Sequence, residues 1–443
     1  MRRPESWGRY PSIKPENIKA VHWRNDLTDL QQIDKTVLPY GLGRSYGDSC
    51  RNEDGILLDT SNLNRFIYFD EHTGLIRCEA GVSLAEILEV VVPRGWFVPV
   101  TPGTKYVTVG GAIANDVHGK NHHRNGTFGC HVTCFELLRS DGQRLFCSPE
   151  QNRDFFRATI GGLGLTGVIL WAEFHLKPIQ NSFIDVEEIR FSNLDEFFEI
   201  TAQSDQDFEY TVSWVDCLAK GKNLGRGVFM RGNNNPSKYL TSAASNMMLP
   251  ISVPLDAPEF LLNNLTMKAF NTTFYYAHYK KVRYKTVPYD PYFYPLDFLD
   301  RWNKLYGKRG FLQYQFVVPF DNNNYAIREV LSRIANSGGG SFLAVLKAFG
   351  KVESPGMLSF PRPGVTLALD FAYHGEKTLK MLEEFDQIVF QSGGAIYPAK
   401  DARMSAASFE RSFPKWQEFQ QYIDPKFSSS FWRRVTDPLK GAD

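Results

Sequence analysis

The chain has 443 residues, 43% of them hydrophobic and 22% charged, and its 50 basic residues balance 49 acidic ones to a net charge of +1. It is long enough for two domains and apolar enough for a packed core, and too neutral to be drawn to nucleic acid by a global positive field. Six cysteines, at 50, 78, 130, 134, 147 and 217, form no CxxC pair, which fits a reducing compartment and argues against a disulfide framework or a zinc site. The start, MRRPESWGRYPS, has no apolar core and no run of 18 apolar residues occurs, so neither a signal peptide nor a transmembrane helix is expected.

In chain order, residues 36–60 read as strand, glycine loop and strand, the loop being Pro39-Tyr-Gly-Leu-Gly-Arg-Ser-Tyr-Gly-Asp48. Residues 66–80 alternate as a hairpin does. Ser83 and Glu86 have capping-box spacing, and Leu84, Ile87, Leu88 and Val91 form a helical apolar stripe that Pro93 and Gly95 end. Thr101–Val132 then holds six glycines and four histidines. Its small apolar centre, Thr108–Ala114, lets backbone approach something large and flat. The polar run Asn115–His123 follows at once, and that juxtaposition is what a redox cofactor site requires. Residues 135–146 read as a hairpin about Asp141-Gly142, and 152–159 as a helix. Gly161-Gly-Leu-Gly-Leu-Thr-Gly167 is another close-approach segment leading into a strand. Composition changes near Pro178. Beyond it strands and helices alternate without glycine clusters, and 233–295, with its Met247–Pro250 run, is the least regular part. Gln313–Val318 is a strand; 323–336 and 376–392 are helices. After Tyr397-Pro-Ala-Lys-Asp401, helical stretches carry Trp416, Phe419, Tyr422 and Ile423 on one face.

Taken singly, these features leave alternatives open. The loop from Gly41 to Tyr46 lacks the third glycine of a Rossmann fingerprint and the Gly-Lys-Ser/Thr of a Walker loop; its backbone N–H groups suit either a structural turn or a pyrophosphate nest. His118 and His122 stand four apart, but Gly119 is a poor helix residue and no carboxylate is placed as a third ligand, so no metal is expected. The run is also too polar for a core strand, which points to a site. Lys400 alone reads as a surface lysine. Gln313 and Gln315 share a strand face; alone they read as solvent-facing, with their aromatic neighbours as sugar-binding. The aromatic and basic segment 274–285 reads equally as a packed insertion or a membrane-surface contact.

The order of the loops carries more than any one of them. GLGRSYGD, TPGTKYVTVGGAIANDVHGKNHH, GGLGLTG, FLQYQFVVP and YPAKDAR, within about residues 36–432, resemble the FAD-linked oxidases of the vanillyl-alcohol-oxidase (PCMH-type) superfamily. The stretch around His118 and the QYQF strand resemble one branch of it, which oxidises a sugar hydroxyl on a polyprenyl-phosphate carrier. The resemblance implies an α+β fold. An FAD domain of residues 1–178 would be completed by a C-terminal segment, 395–443, and an α+β substrate domain on an antiparallel sheet, 179–394, would be inserted between them. It implies that Gly41, Leu42, Gly43, Arg44, Ser45 and Tyr46 hold the FAD pyrophosphate. Gly103, Thr104, Thr108, Gly110, Gly111 and Ala114 would line the cofactor, and His118, Gly119 and Lys120 would stand at flavin and substrate. Gly167 and Val168 would lie near the adenine half. Tyr397 and Lys400 would return to the isoalloxazine, with Gln313 and Gln315 facing it. Tyr46, Lys120, Gln313, Gln315 and Thr366 are the implied substrate contacts.

Arg44 occupies the place where many members carry the histidine that bonds FAD covalently, so noncovalent FAD is expected. Ala368 and Thr366 stand where the branch has cysteine and asparagine, which implies resistance to covalent inhibitors aimed at that cysteine. The implied reaction moves a hydride from a secondary sugar hydroxyl to flavin N5. Lys400 would be the cation beside the flavin, and either Lys400 or His118 the base. An aldonolactone oxidase of the gulono- or arabinonolactone type is one alternative. Another is a partner-dependent flavoprotein, one subunit of an epimerase pair with a short-chain reductase. The expected location is cytoplasmic, with peripheral contact at the inner membrane through 274–285; no nucleic-acid partner is expected.

Overall fold

The computed structural model describes residues 5–13, 17–237, 251–258, 262–321 and 324–440. The Met247–Pro250 run lies outside them. The strands flanking the first glycine loop, Val37–Tyr40 and Ile56–Asp59, pair in parallel, and Asn17–Ala20 adds to the far side of Ile56–Asp59. The alternating segment forms the hairpin Phe66–Asp70 with Leu75–Glu79. That hairpin continues through Val168–His175 and Val132–Leu138 to Arg144–Cys147 as a five-stranded antiparallel sheet. The helix Leu84–Val91 has both halves of its capping box. The Ser83 hydroxyl accepts the Glu86 N–H at 3.2 Å, and the Glu86 carboxylate accepts the Ser83 N–H at 2.8 Å. Its apolar stripe is buried on this half of the molecule, together with Val109, Ala112 and Ile113 of the short helix Val109–Ala114.

The other half is an eight-stranded antiparallel sheet. Edge to edge it runs Val282–Pro288, Phe183–Phe191, Gly227–Asn234, Tyr210–Val215, Ala344–Phe349, Gly364–Ala372, Phe311–Val318 and Ala395–Ile396. The helices Tyr325–Ser337 and Glu376–Gln391 cover one face. Tyr314 points to that face, where its hydroxyl donates to Asp386 at 2.9 Å, so Gln313 and Gln315 point to the other. That other face is covered too: all of Phe311–Val318 is buried, and Gln313 and Gln315 are only 8% and 4% exposed. The solvent-facing reading of these glutamines is therefore corrected, because the strand lies between two packed layers.

After Ala395–Ile396 the chain leaves this sheet edge and returns to the first half. The Phe427 backbone pairs with Val37, and Arg434 in the helix Ser430–Lys440 bridges Asp48 at 2.7 Å and Asp401 at 2.9 Å. Leu38 and Leu57 share one core with Phe316, Leu331 and Phe431, so the two halves are packed together. The segment 274–285 divides between the end of helix Asn264–Ala277 and the start of strand Val282–Pro288. Phe274 packs on Trp214 at 4.6 Å, while Tyr276, Tyr279 and Tyr284 are exposed. Lys285 pairs with Glu188 at 2.8 Å and Lys281 with Glu196, which leaves the segment less cationic than its sequence.

Candidate active site

A cavity of about 970 Å³ lies between the glycine loops of the first half and the eight-stranded sheet. Every site residue named from the sequence lines it, from Gly41–Tyr46 through Gly103, Thr104, Thr108, Gly110, Gly111 and Ala114, then His118, Gly119, Lys120, Gly167 and Val168, to Gln313, Gln315, Thr366, Tyr397 and Lys400. Segments more than 300 residues apart in sequence thus converge because the C-terminal chain re-crosses between the halves.

The loop glycines answer first to the protein. Gly43 has φ +63, and a Cβ there would sit 2.1 Å from the Tyr40 hydroxyl; a Cβ on Gly41 would meet Thr108 Oγ1 at 2.6 Å. Gly47 lies so close to the C-terminal segment that its Cβ would come within 1.8 Å of the Asp401 carbonyl oxygen. The cavity side of the loops is different. A Cβ on Gly103 would project into open space, and the N–H groups of Gly41, Leu42, Gly43 and Ser45 make no hydrogen bond to the described residues. A long cradle with a patch of unsatisfied backbone donors suits a flat dinucleotide whose phosphates need N–H partners, so the residues present fit FAD. The Arg44 side chain also lines the cavity. Its guanidinium stacks over Trp7 at 4.3 Å, and its Nε donates to the Tyr106 carbonyl at 3.1 Å.

At the sheet side the polar groups are interlocked. His118 is buried against Phe349 at 4.8 Å and Tyr397 at 5.6 Å. Its Nε2 lies 3.1 Å from the Gln315 amide and its Nδ1 3.0 Å from Lys347 Nζ. The Gln315 amide nitrogen that faces Nε2 also donates to the Thr366 hydroxyl at 3.2 Å. Burial, then the Lys347 charge, holds the His118 pKa well below its usual value. Both ring nitrogens are engaged in these contacts, so the His118–His122 spacing serves packing: His122 stacks on Phe349 at 4.4 Å.

Gln313 donates to Asp370 at 2.6 Å, and Asp370 is buried with its second oxygen unpartnered. Tyr46 is buried beside Gln313, with Lys400 Nζ 3.8 Å from its ring centroid. Burial lowers the Lys400 pKa to about 7 against the Asp370 charge, which raises it; burial raises Asp370 to about 7 against the Lys400 charge. The two titrate as a pair near neutrality. Lys120 Nζ donates to the Tyr292 and Phe293 carbonyls at 2.9 and 3.2 Å. The Tyr397 hydroxyl donates to the Asn115 carbonyl at 3.0 Å, and its ring stacks on Phe360 at 4.6 Å.

Sequence reasoning passed over Lys347 and Asp370. Each left one signal: a charged residue at the cavity-facing phase of an otherwise apolar strand, Ala344–Phe349 and Gly364–Ala372 respectively. It also passed over Trp7, which lies far upstream of every motif.

Comparison with known proteins agrees with this geometry. The family described as FAD binding domain matches residues 25–148. The decaprenylphosphoryl-β-D-ribose oxidase of Mycolicibacterium smegmatis is 36% identical over 450 residues, 98% of this chain and 97% of that protein. An uncharacterized Streptomyces coelicolor protein is 32% identical over 80% of this chain and its own full length. A putative D-arabinono-1,4-lactone oxidase of Neurospora crassa is 29% identical over 38% of this chain and 29% of its own.

Proposed function

This chain belongs to the FAD-linked oxidase family that includes decaprenylphosphoryl-β-D-ribose oxidase, and from that premise we propose that it oxidises a secondary hydroxyl of a pentose carried on a polyprenyl phosphate. It is an FAD-dependent oxidoreductase acting on CH–OH groups. FAD, when bound, supplies the hydride acceptor. The rest of the chemistry falls to the side chains: they hold the sugar, take the hydroxyl proton and exclude water.

Lys400 is the proposed base. A base must be neutral at working pH yet basic enough to take the proton, and a buried amine near pH 7 meets both conditions. The sugar O–H proton passes to Lys400 Nζ as the C–H hydride leaves. Tyr46 and Asp370 then support the ammonium, through the ring face and the buried carboxylate respectively. His118 is assigned to binding, since its nitrogens are committed to Gln315 and Lys347 and its basicity is suppressed. Gln313 and Gln315, each fixed by a second group, present their amides to the sugar. Sheet membership favours residues 1–178 with 395–443 as the cofactor half and 179–394 as the substrate half, with Ala395–Ile396 attached to the substrate sheet.

The observation that carries this reading is that one cavity joins the loop cradle, Lys400 and an apolar mouth. Phe270 and Phe298 line that cavity and are also 45% and 47% exposed. A polyprenyl chain needs such an exit, and the exposed Tyr276, Tyr279 and Tyr284 suit peripheral contact with the membrane that carries it. Among the described residues no helix is long and apolar enough to cross a membrane. The test is turnover of the isolated holoenzyme with a prenyl-phosphoryl pentose and an artificial electron acceptor. The expected product is lighter by two hydrogens and reacts as a ketone. Turnover that appears only on adding a reductase partner overturns the reading of a self-sufficient oxidase.

A further inference from the structure

Lys120 and Lys347 both line the cavity and keep part of their surface open to it. Among the described residues neither has a carboxylate within ion-pair distance, unlike Lys105, Lys177, Lys281 and Lys285. Lys120 gives two donors to the Tyr292 and Phe293 carbonyls, and Lys347 gives two to the Gly119 carbonyl at 3.2 Å and to His118 Nδ1. An ammonium has three donors, so each retains one. The two are neighbours, since Lys347 grips the carbonyl of the residue preceding Lys120, and the Lys120 charge bears on Lys347. Burial lowers both to about 7, and the repulsion between them adds to this at Lys347. Two uncompensated cations facing one cavity are stabilised by an anion between them.

Past Lys347 the wall changes character. Val345 lies two residues along the same strand face, pairs with Trp214 on the neighbouring strand, and Trp214 carries Phe274. From His118 outward the order is therefore polar sugar-binding groups, two cations, then an apolar wall. We propose that Lys120 and Lys347 form an anion subsite that takes the phosphodiester of the substrate, with Val345, Trp214 and Phe274 receiving the first part of its hydrocarbon chain. The inference rests on the reading of a polyprenyl-phosphate-linked pentose, and it assigns the charge that separates such a substrate from a neutral lactone.

The test uses the FAD-loaded full chain and needs no turnover. Geranyl phosphate, geraniol and inorganic phosphate are titrated while the flavin absorption spectrum and the heat of binding are followed. Geranyl phosphate is expected to bind at least about 10-fold more tightly than geraniol. Lys120→Gln and Lys347→Gln should each weaken geranyl phosphate about 10- to 100-fold, leave geraniol unchanged and retain FAD; Lys347→Arg should recover part of the loss. Equal binding of geranyl phosphate by wild type and both glutamine variants overturns the subsite. Loss of FAD from the variants also overturns it, because the cations would then serve the cofactor's own phosphates. Inorganic phosphate binding as tightly as geranyl phosphate removes the apolar part. Lysine-dependent binding of geranyl phosphate without oxidation of any prenyl-phosphoryl pentose would instead contradict the proposed reaction and leave the subsite standing.

Discussion

Lys400→Ala removes the proposed base and leaves the loop cradle intact. Lys400 reaches the cavity from the Tyr397–Asp401 turn, and its amine packs on the Tyr46 ring, so the variant should keep its full complement of FAD. Burial lowers the Lys400 pKa from the usual amine range toward neutrality, which leaves a neutral amine available as a proton acceptor at working pH. A positioned general base contributes about 10²- to 10⁴-fold, so the rate of flavin reduction by substrate should fall at least about 100-fold. The sign of the pH dependence follows from the active form. The neutral amine takes the proton, so the wild-type reduction rate should rise with pH through a midpoint near 7 and then level. The variant should show no such limb. The Asp370 charge raises the Lys400 pKa, so Asp370→Asn should move the midpoint to lower pH. Anaerobic stopped-flow reduction across pH 5 to 9 measures all three, the range being about two units either side of neutrality. Wild-type rates in Lys400→Ala, or the same limb persisting in it, would refute the assignment.

Other consequences follow from particular contacts. Because Arg44 stands where a covalently linking histidine would, and a guanidinium forms no bond to flavin, acid precipitation should release all FAD to the supernatant; flavin retained in the pellet contradicts a noncovalent cofactor. Gly47→Ala drives a Cβ to within 1.8 Å of the Asp401 carbonyl and must displace the segment that carries Lys400. Thermal unfolding should show a loss of about 1–3 kcal/mol together with slowed flavin reduction, and an unchanged melting temperature would contradict the close approach. Lys347 has its pKa lowered from 10.5 to about 7 in the folded chain. Its cost to stability is therefore full below about pH 7 and is relieved as pH rises from there toward 10.5. Lys347→Met should stabilise the FAD-free protein more at pH 6 than at pH 9 in urea unfolding; a gain independent of pH would show that burial does not depress the lysine's pKa (pH values chosen about a unit or more from the folded midpoint).

Much of the fold was legible because its signals are local. Ser83 and Glu86 announce a capping box, the alternation over 66–80 a hairpin, and Asp141-Gly142 a turn, and each depends on neighbours within a few residues. The α+β class followed from the loop order and agrees with the two large antiparallel sheets and the helices packed on them. What stayed hidden depends on layers. Gln313 and Gln315 look like an exposed strand face until the first half covers it. Lys347 and Asp370 sit in strands whose apolar neighbours advertise only a core, and their meaning appears when those strands face His118 and Gln313. The glycines were legible as close-approach positions, but not whom they approach: Gly41, Gly43 and Gly47 accommodate Thr108, Tyr40 and Asp401, whereas Gly103 opens on the cavity. The 274–285 segment gave two equal readings because it is two elements, with Phe274 and Tyr275 turned inward and Tyr276, Tyr279 and Tyr284 outward.

The most direct test is anaerobic bleaching of the bound flavin's visible band by a panel of reductants. Prenyl-phosphoryl pentoses should bleach it rapidly, while gulono- and arabinonolactone should leave it oxidised over the same time. Rapid bleaching by the lactones, with none by the lipid-linked pentoses, would contradict the account and assign the cavity to a small neutral substrate.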